Sequence, residues 1–142
     1  MRVDNFMSDL EASISIAASG MKAQSERLKV IAENVANSAS VPNSPGEAPY
    51  QRKTISFENI FDKEIGANIV RVKKVGRDTS EFPKEFRPGH PAADANGYIQ
   101  KPNVNTMIEM ADQKEAQRSY EANLATIEMS KSMIDRTLDL LR

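Results

Sequence analysis

The sequence predicts a mainly α protein in which long N- and C-terminal helices pair as an antiparallel, coiled-coil-like hairpin around a short irregular and β-hairpin segment. All seven prolines and five of the six glycines lie between residues 42 and 102, and proline interrupts helices. Both flanks carry apolar residues at alternating spacings of three and four, which is the period of a coiled-coil seam. We therefore divide the chain into an N-terminal helix at 1–38, a middle segment at 39–106 and a C-terminal helix at 107–142.

The N-terminal flank begins with Ser8 and Glu11 at the spacing of a capping box, in which each side chain satisfies a free backbone amide. We expect this helix to end near Asn37 or Ser38, ahead of Pro42. Only Gln24 interrupts an otherwise apolar series. The predicted seam consists of Leu10, Ile14, Ala17, Met21, Gln24, Leu28, Ile31 and Val35.

The C-terminal flank follows Pro102 and has the same capping-box spacing at Thr106 and Glu109. More than 30 residues then follow without proline or glycine. Glutamines dilute the first half of the seam, and Lys131 interrupts the second. The predicted seam consists of Met110, Gln113, Gln117, Tyr120, Leu124, Ile127, Lys131, Ile134, Leu138 and Leu141.

Two paired helices alone cannot enclose a core. An isolated pair is marginally stable, because most helical stability comes from tertiary packing of an apolar face. Both helices also carry alanine and methionine away from the seam, namely Ala12, Ala36, Ala116, Ala122, Met129 and Met133. These side chains are covered either by a small bundle within one chain or by further copies of the protein. We favour further copies, since the middle segment has few apolar residues to spare.

The middle segment predicts two short strands, at 50–57 and 69–75, because both stretches are rich in β-branched and aromatic residues. Asp94 to Gly97 is turn chemistry, a brief extended stretch follows it, and 41–49 is an exposed loop. Most aromatic residues lie outside the helices, and we expect one small cluster of Tyr50, Phe57, Phe61, Phe82, Phe86 and Tyr98.

The residue types argue against catalysis and against a cofactor or metal site. Cysteine is absent, which excludes thiolate chemistry. The only histidine, His90, lies between prolines as a turn residue. An EF-hand-like match around Asp94 and Asn96 lacks the first and last carboxylates of a calcium loop. No phosphate-binding loop, dinucleotide fingerprint or serine elbow occurs.

Charge and hydropathy also exclude two kinds of partner. The net charge is −1. The basic group of Arg71, Lys73, Lys74 and Arg77 is typical of a solvated strand face, so we expect no nucleic acid. No stretch approaches the roughly 20 apolar residues of a transmembrane helix. The first residues lack the apolar stretch of a cleaved secretory signal. We expect no direct insertion into a membrane.

An ordered series of motifs along nearly the whole chain resembles the bacterial flagellar rod, hook and hook-associated proteins. Its N-terminal part is Ser19-Gly20-Met21-Lys22-Ala23-Gln24, then Arg27-Leu28, Ile31-Ala32 and Asn34-Val35-Ala36-Asn37. The downstream motifs are similar to those of the proximal rod proteins: Pro49-Tyr50-Gln51-Arg52-Lys53, Gly89-His90-Pro91, Asn96-Gly97-Tyr98, Pro102-Asn103-Val104-Asn105, Arg118-Ser119-Tyr120-Glu121-Ala122-Asn123 and Arg136-Thr137-Leu138-Asp139-Leu140. The short length also favours a proximal rod subunit.

The resemblance implies a structural subunit of the proximal rod, the drive shaft that transmits torque from the membrane ring to the hook. It implies polymerisation through the terminal helices, export by the flagellar type III apparatus without a cleaved signal peptide, and a place in the periplasm-spanning rod. The implied partners are other copies of the chain, other rod proteins, the adaptor at the rod base and the export apparatus.

The predicted assembly interface combines the two seams with the asparagine motif. Asn34 and Asn37 either bond across subunits or end the helix, since asparagine tolerates a helix C-cap. The alternative function is a small helical adaptor or secretion chaperone that works as a soluble bundle. The interface residues are Leu10, Ile14, Met21, Leu28, Ile31, Asn34, Val35, Asn37, Tyr120, Leu124, Ile127, Ile134, Leu138 and Leu141.

Overall fold

The computed structural model describes residues 2–140, with side chains described from residue 5 onward. Two compact units make up the chain. We call residues 1–28, 56–74 and 114–142 the terminal unit, and residues 29–55 and 75–113 the central unit. Each long helix and each long strand therefore contributes to both units.

Helix α1 spans Arg2–Ala36, so it starts well before the predicted capping box. Ser8 lies inside the helix with an exposed side chain, and the prediction that it caps the helix is wrong. No proline or glycine precedes it to stop helix formation. The predicted end is confirmed: the Asn37 side-chain amide donates to the Glu33 carbonyl at 2.8 Å, which satisfies one of the last free carbonyls.

Helix α2 spans Thr106–Leu140, close to the predicted bounds. Its N-cap is Asn105, whose side-chain oxygen accepts a hydrogen bond from the Met107 amide at 3.0 Å, as expected for an asparagine in this position. The predicted capping box of Thr106 and Glu109 is therefore wrong, and the helix begins one residue earlier with a simple asparagine cap. The Glu109 carboxylate bonds to groups outside the helix.

The two helices pack antiparallel, as predicted. In the terminal unit Gly20 faces Asn123, and the Arg27 guanidinium lies 3.6 Å from the Glu115 carboxylate. Moving forward along α1 thus moves backward along α2. The mainly α architecture with a helical hairpin and a β-hairpin in its middle segment is confirmed.

Strand β1, Lys53–Asp62, forms a two-stranded sheet with β2, Ala67–Arg77. The first strand begins three residues later and ends five residues later than predicted. The turn between the strands places Gly66 at a φ of 69°, a left-handed conformation that favours glycine. The Gly66 amide closes this turn on the Asp62 carbonyl at 2.8 Å.

A second small sheet pairs β3, Lys84–Phe86, with β4, Tyr98–Gln100, in antiparallel register with Glu85 opposite Ile99. Asp94 forms the predicted turn before β4, since its carboxylate accepts the amides of Asn96 and Tyr98 at 2.8 and 2.9 Å.

His90 also sits in a turn, where its Nδ1 accepts the Ala92 amide at 3.1 Å. The loop at 41–49 is exposed from residue 43 to residue 48. Both features agree with the sequence prediction.

The predicted cluster of six aromatic residues is wrong. Phe61 and Phe86 are 59% and 60% exposed, and Tyr98 is 43% exposed. Within the central unit, Phe86 and Tyr98 pack edge to face with ring centroids 5.2 Å apart, a favourable geometry. The extended stretch after residue 97 presents Tyr98 outward and buries Ile99, because side chains alternate along a strand.

The two units bury different residues. The terminal unit buries small side chains and one leucine: Leu10, Ala17, Ala23, Ala116 and Ser130. The central unit buries larger and more polar ones, among them Val30, Ile31, Asn34, Ile99 and Glu109. No helix in the described part of the chain is long and apolar enough to cross a membrane.

Candidate assembly surface

Asn34, near the C-terminal end of α1, is the centre of a buried polar network in the central unit. Its side chain is 1% exposed. Its amide nitrogen donates to the Lys53 carbonyl at 2.9 Å and to the Glu109 carboxylate at 3.1 Å. Its oxygen accepts the Lys53 amide at 2.8 Å and the Tyr50 hydroxyl at 2.9 Å. The carboxamide therefore makes four hydrogen bonds, its full capacity.

Glu109 is the buried acid of this network and is 1% exposed. Its carboxylate accepts from Arg52 Nε through one oxygen and from Asn34 through the other. The Arg52 guanidinium also lies 3.6 Å from Asp78 and 3.9 Å from Asp112. A buried carboxylate is tolerable because it is paired and hydrogen-bonded.

Asn103 ties the chain before α2 to this network. Its oxygen accepts the Arg52 amide at 2.8 Å, and its amide nitrogen donates to the carbonyls of Asp78 and Ser80, each at 3.1 Å. The Ser80 amide and hydroxyl hold the pKa of Asp78 below its usual value, because both favour the charged carboxylate.

Two further groups border the network. Burial raises the pKa of Tyr50. The Tyr50 hydroxyl donates a hydrogen bond to the side-chain oxygen of Asn34. The hydrogen bond from Lys53 lowers the pKa of Glu33, and the same bond raises the pKa of Lys53. We call the set Asn34, Arg52, Asn103 and Glu109 the polar hub.

The predicted seam of α2 is displaced by one position from the face that is covered. Of its members, only Tyr120, Ile127 and Ile134 lie on that face. After Thr106, the buried and half-buried residues of α2 are Glu109, Asp112, Ala116, Ser119, Tyr120, Asn123, Ile127, Ser130, Ile134 and Thr137. The covered face of α2 is therefore mostly small and polar, which seam prediction from apolar spacing misses.

The apolar residues of α2 lie mainly on its exposed faces. Leu124 is 39% exposed, Leu138 49%, and Met107 75%. The other exposed large apolar side chains of this helix are Ile108, Met110, Met129, Met133 and Leu140. Large apolar side chains exposed in this number on one helix mark interaction sites. We call Leu124, Met129, Met133 and Leu138 the outer patch.

The predicted interface residues of α1 are more covered than those of α2. Leu10, Ile31 and Asn34 are buried within the chain, and Asn37 is half-buried and bonded at the helix end. The remaining four are half-buried: Ile14, Met21, Leu28 and Val35. Leu141 lies outside the described residues.

Three groups that the sequence motifs contain but that the predicted interface omits are Arg52, Asn103 and Glu109. A signal for Glu109 exists, because it is an acid between Ile108 and Met110 at a helix start. Nothing in the spacing joins it to Arg52. Residues 5–140 contain no cluster of acids and histidine that could hold a metal ion.

Comparison with known proteins matches both helical flanks to flagellar families. Residues 14–43 match the family model described as flagella basal body rod protein, and residues 95–140 match the model described as flagellar basal body rod FlgEFG protein C-terminal. The two matches include most of α1 and all of α2 within the described residues.

Relatives match this chain over most of their length and of its own. The flagellar basal-body rod protein FlgC of Agrobacterium fabrum is 47% identical over 136 residues, which cover 96% of this chain and 98% of the relative. The FlgC proteins of Salmonella typhimurium and Bacillus subtilis are 41% and 34% identical, with 88% and 90% of this chain and 92% and 95% of the relatives covered. The chain therefore belongs to the FlgC family of flagellar basal-body rod proteins.

Proposed function

We propose that this protein is a structural subunit of the flagellar basal-body rod and that it polymerises through its terminal helices to transmit torque from the membrane ring to the hook. The carrying observation is the outer patch. A helix of 35 residues turns leucine and methionine outward while its covered face holds alanine, serine and asparagine. Such an arrangement leaves these exposed apolar side chains for neighbouring subunits.

The geometry of a shaft supports this use of the helices. A torque-bearing shaft needs many subunits in side-by-side contact, and contacts between different faces that do not close a ring generate an open helical array. Half-buried Ile14, Met21, Leu28 and Val35 on α1 add apolar surface to that of α2. The buried residues of the predicted interface on α1 are Leu10, Ile31 and Asn34. They support the proposed interface by fixing α1 within the subunit.

The proposed partners follow from the place of such a subunit. They are other copies of the chain, other rod proteins, the adaptor at the rod base and, during secretion, the flagellar type III export apparatus. Export would use an uncleaved N-terminal signal, and the assembled subunit would lie in the periplasm-spanning rod. The role is structural rather than catalytic.

A charge in the outer patch, at Leu124 with its exposed fraction of 39%, tests the proposal. We expect Leu124→Asp to abolish incorporation into basal bodies, because assembly would bury an unpaired carboxylate. The measurement is swimming motility together with the amount of this chain in purified basal bodies, in cells whose only copy carries the substitution.

The matched control is Ser132→Asp, which adds the same charge at an exposed polar position of the same helix. Secretion of both variants is measured alongside, so that an export defect is told apart from an assembly defect. Normal motility of the Leu124→Asp strain would contradict the proposal. A chain that instead forms a stable, well-folded small oligomer alone would favour the helical adaptor or secretion chaperone.

A further inference from the structure

We infer that Gly20 and Asn123 form a register lock, a steric contact that fixes which turn of α2 lies beside which turn of α1 in the terminal unit. Gly20 is the only glycine in either long helix. Glycine in a helix interior is destabilising relative to alanine. Its presence there calls for a compensating contact with a neighbouring element.

The contact is the Asn123 side chain, which occupies the space that a Cβ atom at position 20 would need. A Cβ built on Gly20 lies 2.7 Å from Asn123 Nδ2 and 3.2 Å from its Cγ. Rotation about χ2 of Asn123 moves Nδ2 but leaves Cγ in place. Relief at Cγ therefore requires a shift of a few tenths of an ångström, either through χ1 of Asn123, which has few allowed values in a helix, or through a movement of α1.

The neighbouring residue limits the other way to relieve the clash, which is a movement of α1. Ser19 Oγ donates to the Ile16 carbonyl at 2.7 Å and accepts the Val70 amide of β2 at 3.2 Å. This part of α1 is thus attached to β2 one residue before it meets α2. A side chain at position 20 would therefore act on Asn123 and on the position of α2.

The register matters because it decides which residues of α2 each turn of α1 covers. In the observed register Ala116, Asn123 and Ser130 are covered, and the outer patch is exposed. A slip of one turn would move the covered positions by about four residues along α2. This consequence for assembly rests on the proposed function, whereas the register lock itself does not.

Helix propensity and the register lock predict opposite effects for Gly20→Ala. If propensity alone governed the site, the substitution would favour the helix by about fivefold. The register lock predicts about a tenfold loss of correctly paired chain, the size typical of a buried steric misfit. It also predicts that Asn123→Ala in the same chain restores pairing, since it removes Nδ2 and Cγ.

Cysteine cross-linking measures the register directly, because the chain contains no cysteine of its own. One full-length reporter carries Arg27→Cys with Glu115→Cys, two positions whose side chains meet in the observed register. A second carries Arg27→Cys with Ser119→Cys, one turn further along α2. Both are treated with a short bismaleimide in intact cells, with and without Gly20→Ala. Ser25→Ala, at an exposed position of the same helix, is the matched control.

The register lock predicts that Gly20→Ala depletes the 27–115 product or shifts it to 27–119, and that Asn123→Ala restores the 27–115 product. An unchanged 27–115 product in Gly20→Ala would overturn it, as would a loss that Asn123→Ala fails to restore. Motility is scored in parallel on chains without the cysteines. A shifted cross-link with normal motility would support the register lock and contradict the proposed function.

Discussion

The terminal and central units use the same two helices but hold them together in different ways. The central unit joins them through the polar hub and buries Val30, Ile31 and Ile99. The terminal unit joins them through small residues, with Leu10, at 9% exposed, as its only buried large apolar side chain among the described residues. Because burial of apolar area is the main source of stability, we expect the terminal unit to be the less stable one before assembly.

This difference in packing between the two units indicates how one subunit can both fold and assemble. The central unit uses its polar groups in internal hydrogen bonds, so we expect it to hold its fold without neighbours. Under the proposed function, the exposed leucine and methionine of the terminal unit make the contacts with other subunits. Segments that complete their packing only on binding are drawn from the less stable parts of a protein.

We expect Arg52→Ala to have the largest effect on the stability of the central unit, because it removes a partner of the buried Glu109. We expect it to destabilise the central unit by about 3 kcal/mol, the usual cost of leaving a buried charge without its counter-ion. Hydrogen exchange of amides in the central unit measures the loss. Arg71→Ala serves as the control, since Arg71 is 66% exposed in its pair with Glu58, and we expect a change below about 0.5 kcal/mol. Equal effects of the two substitutions would argue against the polar hub.

Gln24→Met tests the stability of the terminal unit. Gln24 Oε1 is a buried acceptor without a hydrogen-bond partner in the described structure. Replacing it with an apolar side chain of similar length removes an unpaired polar group, and we expect the terminal unit to gain about 1 kcal/mol. Slower exchange of the α1 amides around residue 24 is the readout. A loss of protection there would mean that the carboxamide finds a partner on which the helix pair depends.

Sequence periodicity predicts both helices, their antiparallel pairing and an end of α1 near Asn37 or Ser38, close to the observed end at Ala36, since these depend on local spacing and on proline. It does not show which apolar residues of α2 pack inside the chain, because the partner helix and neighbouring subunits can each cover an apolar stripe. In this subunit Met110, Leu124 and Leu138 lie outside, and Asn123 and Ser130 lie within.

Sequence periodicity does not predict the polar hub either, for a different reason. Asn34 and Glu109 are 75 positions apart, and no local pattern reports a hydrogen bond across that distance. The asparagine motif did single out Asn34, and the structure gives its side chain four bonds within the chain. The predicted aromatic cluster is wrong because composition alone does not show which aromatic side chains are in contact.

Hydrogen exchange along α1 tests the central claim most directly, since one helix runs through both units. In the free full-length chain we expect amides around Val30 and Ile31 to exchange at least about tenfold more slowly than those around Ala17 and Ala23. In purified basal bodies we expect the difference to disappear, because neighbouring subunits cover the terminal unit. Equal protection along α1 in the free chain would contradict the account.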